Sequence, residues 1–134
     1  MRDNHPIIII DDDEVERTLV IEGFKNAGCS KEVIQFENGM VFLQFLNGIP
    51  RNEFPSIVMV DLDMPLMDGK EVLKEIKANP RFKHIPVIVF SASGSSEDRM
   101  VAFTNGANCF ITKPSNNNKI VELLGSVAVL WCLQ

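Results

Sequence analysis

Short runs of apolar residues alternate with longer stretches of helical spacing along the chain, and this alternation restricts the fold more than any other feature. The runs are rich in β-branched residues, as in Ile7-Ile8-Ile9-Ile10 and Ile57-Val58-Met59-Val60. Uninterrupted strands of this kind are buried on both faces, which is typical of parallel sheets. Five rounds of strand and helix with right-handed crossovers predict an α/β fold in which a parallel sheet lies between two layers of helices.

Caps and breakers give the expected bounds of these elements. Carboxylates crowd the start of the first helix, Asn38 caps the second, and glycine or proline follows most of the helical stretches. We expect strands at 7–10, 32–36, 57–60, 87–90 and 109–112, and helices at 13–27, 39–47, 70–78, 97–105 and 115–131.

Length and charge limit the class of protein. A chain of 134 residues has room for one domain with a core, so we expect a single domain over residues 1–134 without an effector domain. No apolar run reaches the roughly 18 residues of a membrane span, and the first residues lack the features of a signal peptide, which predicts a cytoplasmic protein without membrane contact. The net charge of −5, with scattered Lys and Arg residues, argues against nucleic-acid binding.

Polar side chains stand at the ends of four of the five apolar runs. The first run ends on Asp11 and Asp12, the third on Asp61, the fourth on Ser91 and the fifth on Lys113. In open parallel sheets the ligand site lies beyond these carboxyl ends, near the point where the strand order reverses. Each residue alone is compatible with a turn or a helix cap, but turn chemistry does not predict the whole set.

The residue types at these ends suit one kind of chemistry. Three neighbouring carboxylates repel one another unless a cation joins them, and Mg²⁺ prefers oxygen ligands. We interpret Asp61 as the nucleophile of a phosphoryl transfer and Asp11 and Asp12 as residues that hold Mg²⁺ directly or through water. Lys113 would neutralise one phosphoryl oxygen, and Ser91 would donate a hydrogen bond to another.

Four segments of the chain carry a family resemblance. They are Ile10-Asp11-Asp12-Asp13, Val60-Asp61-Leu62-Asp63-Met64-Pro65-Leu66-Met67-Asp68-Gly69, Phe90-Ser91-Ala92 and Ile111-Thr112-Lys113-Pro114. Together they resemble the signatures of response-regulator receiver domains of two-component signalling, the CheY-like superfamily. The resemblance covers nearly the whole chain and implies a flavodoxin-like (βα)5 fold with strand order 2-1-3-4-5.

The resemblance also implies a role for each acidic residue. Asp61 would be the phosphoacceptor, loaded from a phosphohistidine on a sensor histidine kinase or a phosphotransfer protein. Asp11, Asp12, Asp61 and the backbone carbonyl of Asp63 would hold Mg²⁺ or Mn²⁺. The chain would then be a phosphoacceptor signalling protein that catalyses its own phosphorylation and dephosphorylation, rather than an enzyme acting on other molecules.

A conformational switch is implied by the same resemblance. Ser91 would move toward the phosphoryl group, and Phe110, at a position where the family often has Tyr, would turn inward into the vacated space. The face made by the fourth helix, the fifth strand and the fifth helix would repack and carry the signal to a protein target that the sequence does not name. The family further implies a cis peptide bond between Lys113 and Pro114.

Asp63 and Ser93 lie two residues beyond the phosphoacceptor and the switch hydroxyl, where members of the family tune dephosphorylation. The lifetime of the phosphorylated form therefore stays open. Ser91 replaces the commoner Thr, and Ser115 stands where an apolar aromatic is frequent. Both differences leave the chemistry intact.

The last helix contains more apolar residues than one buried stripe needs. They are Ile120, Val121, Leu123, Leu124, Val127, Val129, Leu130, Trp131 and Leu133. We expect most of them in the core and an exposed remainder that forms a homodimer or partner surface. The segment from Asn108 to Lys113 and the closing Leu130-Trp131 are similar to small stand-alone regulators that partner bacterial phytochromes.

Two other functions compete with a receiver. A haloacid-dehalogenase-like phosphohydrolase also has a strand ending in a sequence like Asp61-Leu62-Asp63, but its acidic pair follows the nucleophile, whereas Asp11 and Asp12 precede it here. A phosphorylation-independent scaffold on the receiver fold usually loses the acceptor or the metal carboxylates, and this chain has them all.

Overall fold

A computed structural model describes residues 5–130, and its sheet confirms the expected fold class and strand order. Five parallel strands lie in the order β2-β1-β3-β4-β5. Their bounds are β1 Ile7–Ile10, β2 Val33–Phe36, β3 Ile57–Val60, β4 Val87–Ser91 and β5 Cys109–Thr112. The order reverses between β1 and β3, so the carboxyl ends of these two strands form the edge where a ligand is expected.

The helices follow the expected pattern to within one or two residues at each end. They are α1 Glu14–Asn26, α2 Gly39–Asn47, α3 Gly69–Ala78, α4 Ser96–Thr104 and α5 Asn117–Leu130. A short 3₁₀ helix at Arg51–Glu53, which the periodicity does not predict, precedes β3.

Side-chain caps explain where the helices begin. Asp13, Asn38 and Asp68 each accept hydrogen bonds from backbone N–H groups in the first turn of α1, α2 and α3. Ser95 does the same for α4, which therefore begins one residue earlier than expected. The Asn116 side chain accepts from the N–H of residue 118 at 2.8 Å, so α5 begins after this cap rather than at residue 115.

The strands alternate their side chains between two cores because successive residues point to opposite faces of the sheet. Ile8, Val58 and Val87 face a layer made by α2, α3 and α4. Ile7, Ile57 and their alternating neighbours face α1 and α5. Every residue of β1, β3 and β4 is buried, which confirms their assignment as central strands.

Helices α1 and α5 approach each other closely at Gly23. A Cβ atom built on Gly23 would lie 2.4 Å from Cβ of Leu124, too close for any side chain. The absence of a side chain at this position therefore lets α5 pack directly against α1 over the core that these two helices share.

The structure corrects one prediction about the backbone. No cis peptide bond occurs among residues 5–130, so the bond between Lys113 and Pro114 is trans rather than cis. The trans form is the favoured one even before proline, by about 0.5–1 kcal/mol.

Most apolar side chains of α5 lie in the core, as expected. Ile120, Leu124 and Val127 are buried, whereas Val129 and Leu130 are 61% and 78% exposed. Trp131 and Leu133, also among the apolar residues of the expected helix or tail, lie outside the described residues. Among the helices of residues 5–130, none is long and apolar enough to cross a membrane.

Candidate functional site

Three acidic side chains converge at the carboxyl ends of β1 and β3. The register pairs Ile10 with Val60, and the next residues along the two strands are Asp11 and Asp61. Both carboxylates are buried, and Asp12 beside them is exposed. One oxygen from each of the three lies within 4.8 Å of the others, a cluster of hard donors that fits Mg²⁺ or Mn²⁺.

The two buried carboxylates are held in the same way. Asp11 Oδ1 accepts a hydrogen bond from the N–H of Asp13 at 2.9 Å, and Asp61 Oδ1 accepts from the N–H of Asp63 at 3.2 Å. Each Oδ2 accepts instead from Lys113 Nζ, at 3.1 Å for Asp11 and 3.0 Å for Asp61. The turns after β1 and β3 therefore hold Oδ1 of each aspartate, and Oδ2 of each aspartate contacts the ammonium of Lys113.

Lys113 is the positive centre of the site. Its side chain is only 5% exposed, and its ammonium forms ion pairs with Asp11, Asp61 and Glu16. Burial lowers the pKa of Lys113, but the hydrogen bond to Glu16 and the charges of the two aspartates raise it above its ordinary value overall. The Lys113 side chain therefore stays protonated at any physiological pH.

Glu16, which the sequence reasoning missed, belongs to this site. It is one turn before Val20 and two turns before Phe24, both buried on the inner face of α1. The sequence signal for Glu16 is a carboxylate at the same helical spacing as these buried residues, at the end of α1 nearest Asp11. Burial raises the pKa of Glu16 to about 7, and Asp11 adds to the rise while Lys113 opposes it.

The phosphoacceptor candidate sits in a tightly packed place. Burial raises the pKa of Asp61 above its ordinary value, against the opposing effect of Lys113. A Cβ atom built on Gly69, the first residue of α3, would lie 2.2 Å from the carbonyl oxygen of Asp61 and 2.8 Å from Cα of Leu62. The glycine lets α3 start directly against the backbone that carries Asp61, and its N–H donates to the carbonyl of Leu62 at 2.9 Å.

Ser91 and Ser93 lie on the neighbouring strand end. Ser91 is fully buried at the carboxyl end of β4, and its Oγ accepts from the N–H of Ser93 at 3.3 Å. Its carbonyl accepts from the N–H of Lys113 at 2.7 Å, which ties the two strand ends together. The roles of Ser91 as switch hydroxyl and of Ser93 and Asp63 in tuning stay predictions, as does the Asp63 carbonyl as a metal ligand.

Phe110 is already inside the protein. Its ring is 7% exposed and packs in the core that faces α2, α3 and α4. The guanidinium of Arg99 covers this ring and also donates to Thr112 Oγ1 at 3.2 Å. Motion of Phe110 therefore requires a change in its contact with Arg99, a coupling that the sequence did not reveal.

The family model of the response regulator receiver domain matches residues 7–125 of this chain. The chain belongs to the response regulator receiver family. This receiver is 31% identical over 128 residues to the response regulator Rcp1 of Synechocystis sp., an alignment that covers 93% of this chain and 87% of Rcp1.

Solved structures agree with this assignment. The Mn²⁺-bound form of Rcp1 superimposes with a TM-score of 0.87 at 30% identity, covering 97% of this receiver and 95% of that chain. The phosphorylated cyanobacterial phytochrome response regulator RcpA superimposes with a TM-score of 0.86 at 30% identity, covering 96% and 94%. These similarities in sequence and structure confirm the expected resemblance to phytochrome-associated regulators.

Proposed function

We propose that this receiver accepts a phosphoryl group on Asp61 in a Mg²⁺-dependent reaction and passes the signal on through its α4–β5–α5 face. One observation carries the proposal. Oδ2 of Asp11 and Oδ2 of Asp61 both contact the buried ammonium of Lys113. In this proposal a bound phosphoryl group would be surrounded by one nucleophile, Asp61, one further anion, Asp11, and one cation, Lys113.

The transfer itself needs little from the protein beyond placement. A carboxylate oxygen of Asp61 forms the new bond to phosphorus while the bond from phosphorus to the donor nitrogen breaks, and the imidazole of the donor leaves with the electron pair. Lys113 would balance charge on the transferred group, and the buried hydroxyl of Ser91 would donate a hydrogen bond to it.

The metal requirement rests on the donor set. Asp11, Asp12 and Asp61 would hold the ion, and when bound it supplies positive charge to the phosphoryl oxygens. The relative solved with Mn²⁺ supports this choice of cation.

We propose that the phosphodonor is a histidine kinase of the phytochrome type or its phosphotransfer protein. Receiver domains pair with histidine kinases, and the related RcpA is described as a phytochrome response regulator.

The first experiment is incubation with acetyl phosphate and Mg²⁺, with and without EDTA, followed by mass spectrometry of the intact protein. We expect a metal-dependent gain of about 80 Da in the wild type, the mass of one phosphoryl group, and none in Asp61→Asn. Failure of the wild type to gain mass or release phosphate would support a phosphorylation-independent scaffold. Multiple turnover of phosphate monoesters would instead favour the phosphohydrolase alternative, which the family match already disfavours.

A further inference from the structure

One carboxylate at the site has no place in the metal cluster. Of the three acceptors around Lys113 Nζ, Asp11 and Asp61 also belong to the metal cluster, whereas Glu16 does not. A lysine ammonium has three N–H donors and no acceptor. The three carboxylates therefore use all of its donors before any phosphoryl group is present.

Helix α1 holds Glu16 beside Lys113. Glu16 lies in the first turn of α1, where its N–H reaches the capping oxygen of Asp13 at 3.4 Å. Val20, one turn later, anchors the same face of the helix in the core. The Glu16 side chain is 25% exposed while that of Lys113 is 5% exposed, so the ion pair lies at the rim of the buried pocket.

The arrangement creates a competition for one donor. A phosphoryl oxygen can contact Lys113 only if the ammonium gives up one of its present acceptors. A metal ion bound by Asp11 and Asp61 draws on the charge of those two carboxylates, which leaves Glu16 as the strongest remaining attraction for Lys113. The contact with Glu16 then holds the ammonium toward α1.

We propose that Glu16 is a positioning residue that competes with the phosphoryl group for Lys113 and so restrains phosphorylation of Asp61. The inference rests on the proposed function and deepens it. Removing the charge of Glu16 makes Lys113 more available to the incoming group. The gain is the difference in free energy between a hydrogen bond to a charged partner and one to a neutral partner.

The test compares Glu16→Gln with Glu14→Gln in the full chain. Both changes remove one carboxylate from the first turn of α1, but the ion pair with Lys113 is made by Glu16. With saturating Mg²⁺ and acetyl phosphate, we expect Glu16→Gln to raise the first-order rate constant of phosphorylation roughly three- to tenfold. It should tighten the apparent affinity for beryllium trifluoride, a phosphoryl mimic, by a similar factor. Glu14→Gln should stay within about twofold of the wild type.

Two further readouts separate positioning from general effects. The ¹⁵N and ¹H signals of the Lys113 ammonium in the Mg²⁺-bound protein should shift in Glu16→Gln and not in Glu14→Gln. Glu16→Asp keeps the charge, so its rate constant should lie nearer the wild type than Glu16→Gln does. A change confined to the half-saturating concentration of acetyl phosphate would indicate simple attraction of an anion and would overturn the proposal.

Failure of the inference and failure of the proposed function look different. A wild type that is never phosphorylated refutes the proposed function. A wild type that is phosphorylated, with equal rate constants and mimic affinities in Glu16→Gln and Glu14→Gln, refutes only the role of Glu16. If Glu16→Gln does not fold by circular dichroism, Glu16→Ala takes its place, with Glu14→Ala as the control.

Discussion

The guanidinium of Arg99 lies 5.0 Å from the ring centroid of Phe110. Arg99 belongs to α4 and Phe110 to β5, and the same guanidinium reaches Thr112 at the end of β5. One exposed side chain therefore joins the two elements that the proposed switch has to repack. We therefore expect the proposed switch to change this contact.

Arg99→Met should loosen α4 in the unphosphorylated protein. The variant keeps an apolar stem over Phe110 but loses the cation–π contact and the hydrogen bond to Thr112. We expect the free energy of unfolding to fall by about 1 kcal/mol, measured by urea denaturation. Hydrogen exchange in α4 should become faster, and phosphorylation should change it less than in the wild type.

Arg81 provides a matched control for this prediction. Its guanidinium lies over the rings of Phe54 and Phe82, at 5.5 and 5.1 Å from their centroids, and both rings lie outside α4 and β5. Arg81→Met should cost a similar amount of stability and leave the exchange of α4 unchanged. Equal exchange in the two variants would show that Arg99 does not couple α4 to β5.

Gly69→Ala should damage the phosphoacceptor site. The added Cβ meets the backbone of Asp61 and Leu62, neither of which can turn aside as a flexible side chain does. We expect a loss of about 1–3 kcal/mol of unfolding free energy and slower phosphorylation of Asp61 by acetyl phosphate.

The control for that change is Gly125→Ala in α5. There the added Cβ has ordinary contact with Ala27 at 3.9 Å, and alanine favours a helix over glycine by up to about 1 kcal/mol. This variant should be as stable as the wild type or more so, with normal phosphorylation. Normal phosphorylation in Gly69→Ala would mean that α3 can move away from Asp61 at no cost to the site.

The sequence predicts the strand-end residues well because buried strands end where their apolar runs end. Asp11, Asp61 and Lys113 follow such runs directly, and a parallel sheet brings those ends to one edge. No separate knowledge of side-chain direction is needed to place them together.

The rotation of a helix is harder to predict, since several apolar stripes fit the same spacing. Val15 falls within the apolar spacing of α1, yet it is 62% exposed, because α1 turns Val20 and Phe24 inward. That rotation is what brings Glu16 to Lys113. Contacts between distant elements, such as Arg99 with Phe110, depend on packing that no local pattern records.

Asp12→Asn should separate electrostatic repulsion from metal binding. Without metal, losing one of three clustered carboxylates should raise the melting temperature, because like charges repel at this distance. With Mg²⁺, the wild type should gain about 2.7 kcal/mol at a hundredfold excess over Kd, and the variant should gain much less. Differential scanning calorimetry with EDTA and with Mg²⁺ measures both effects.

Asp98→Asn tests whether this result is specific. Asp98 is an acidic residue in the first turn of α4 and is not a member of the carboxylate cluster. The variant should keep the full gain in stability with Mg²⁺. A loss of that gain equal to the loss in Asp12→Asn would assign the metal effect to general charge instead of the site.

The metal-free protein should become less stable as pH rises from about 4.5 through 7, to the extent that Glu16 and Asp61 contribute. Burial raises the pKa of Glu16 from 4.5 to about 7 and also raises that of Asp61. In this range the folded state binds more protons than the unfolded state, so the free energy of unfolding falls with rising pH. Lys113 has a raised pKa and stays charged in both states there. Urea denaturation in EDTA between pH 5 and 8 should therefore show a shallower decline in Glu16→Gln than in Glu14→Gln. Parallel profiles in the two variants would mean that the Glu16 carboxyl is ionised throughout and is held by Lys113 alone.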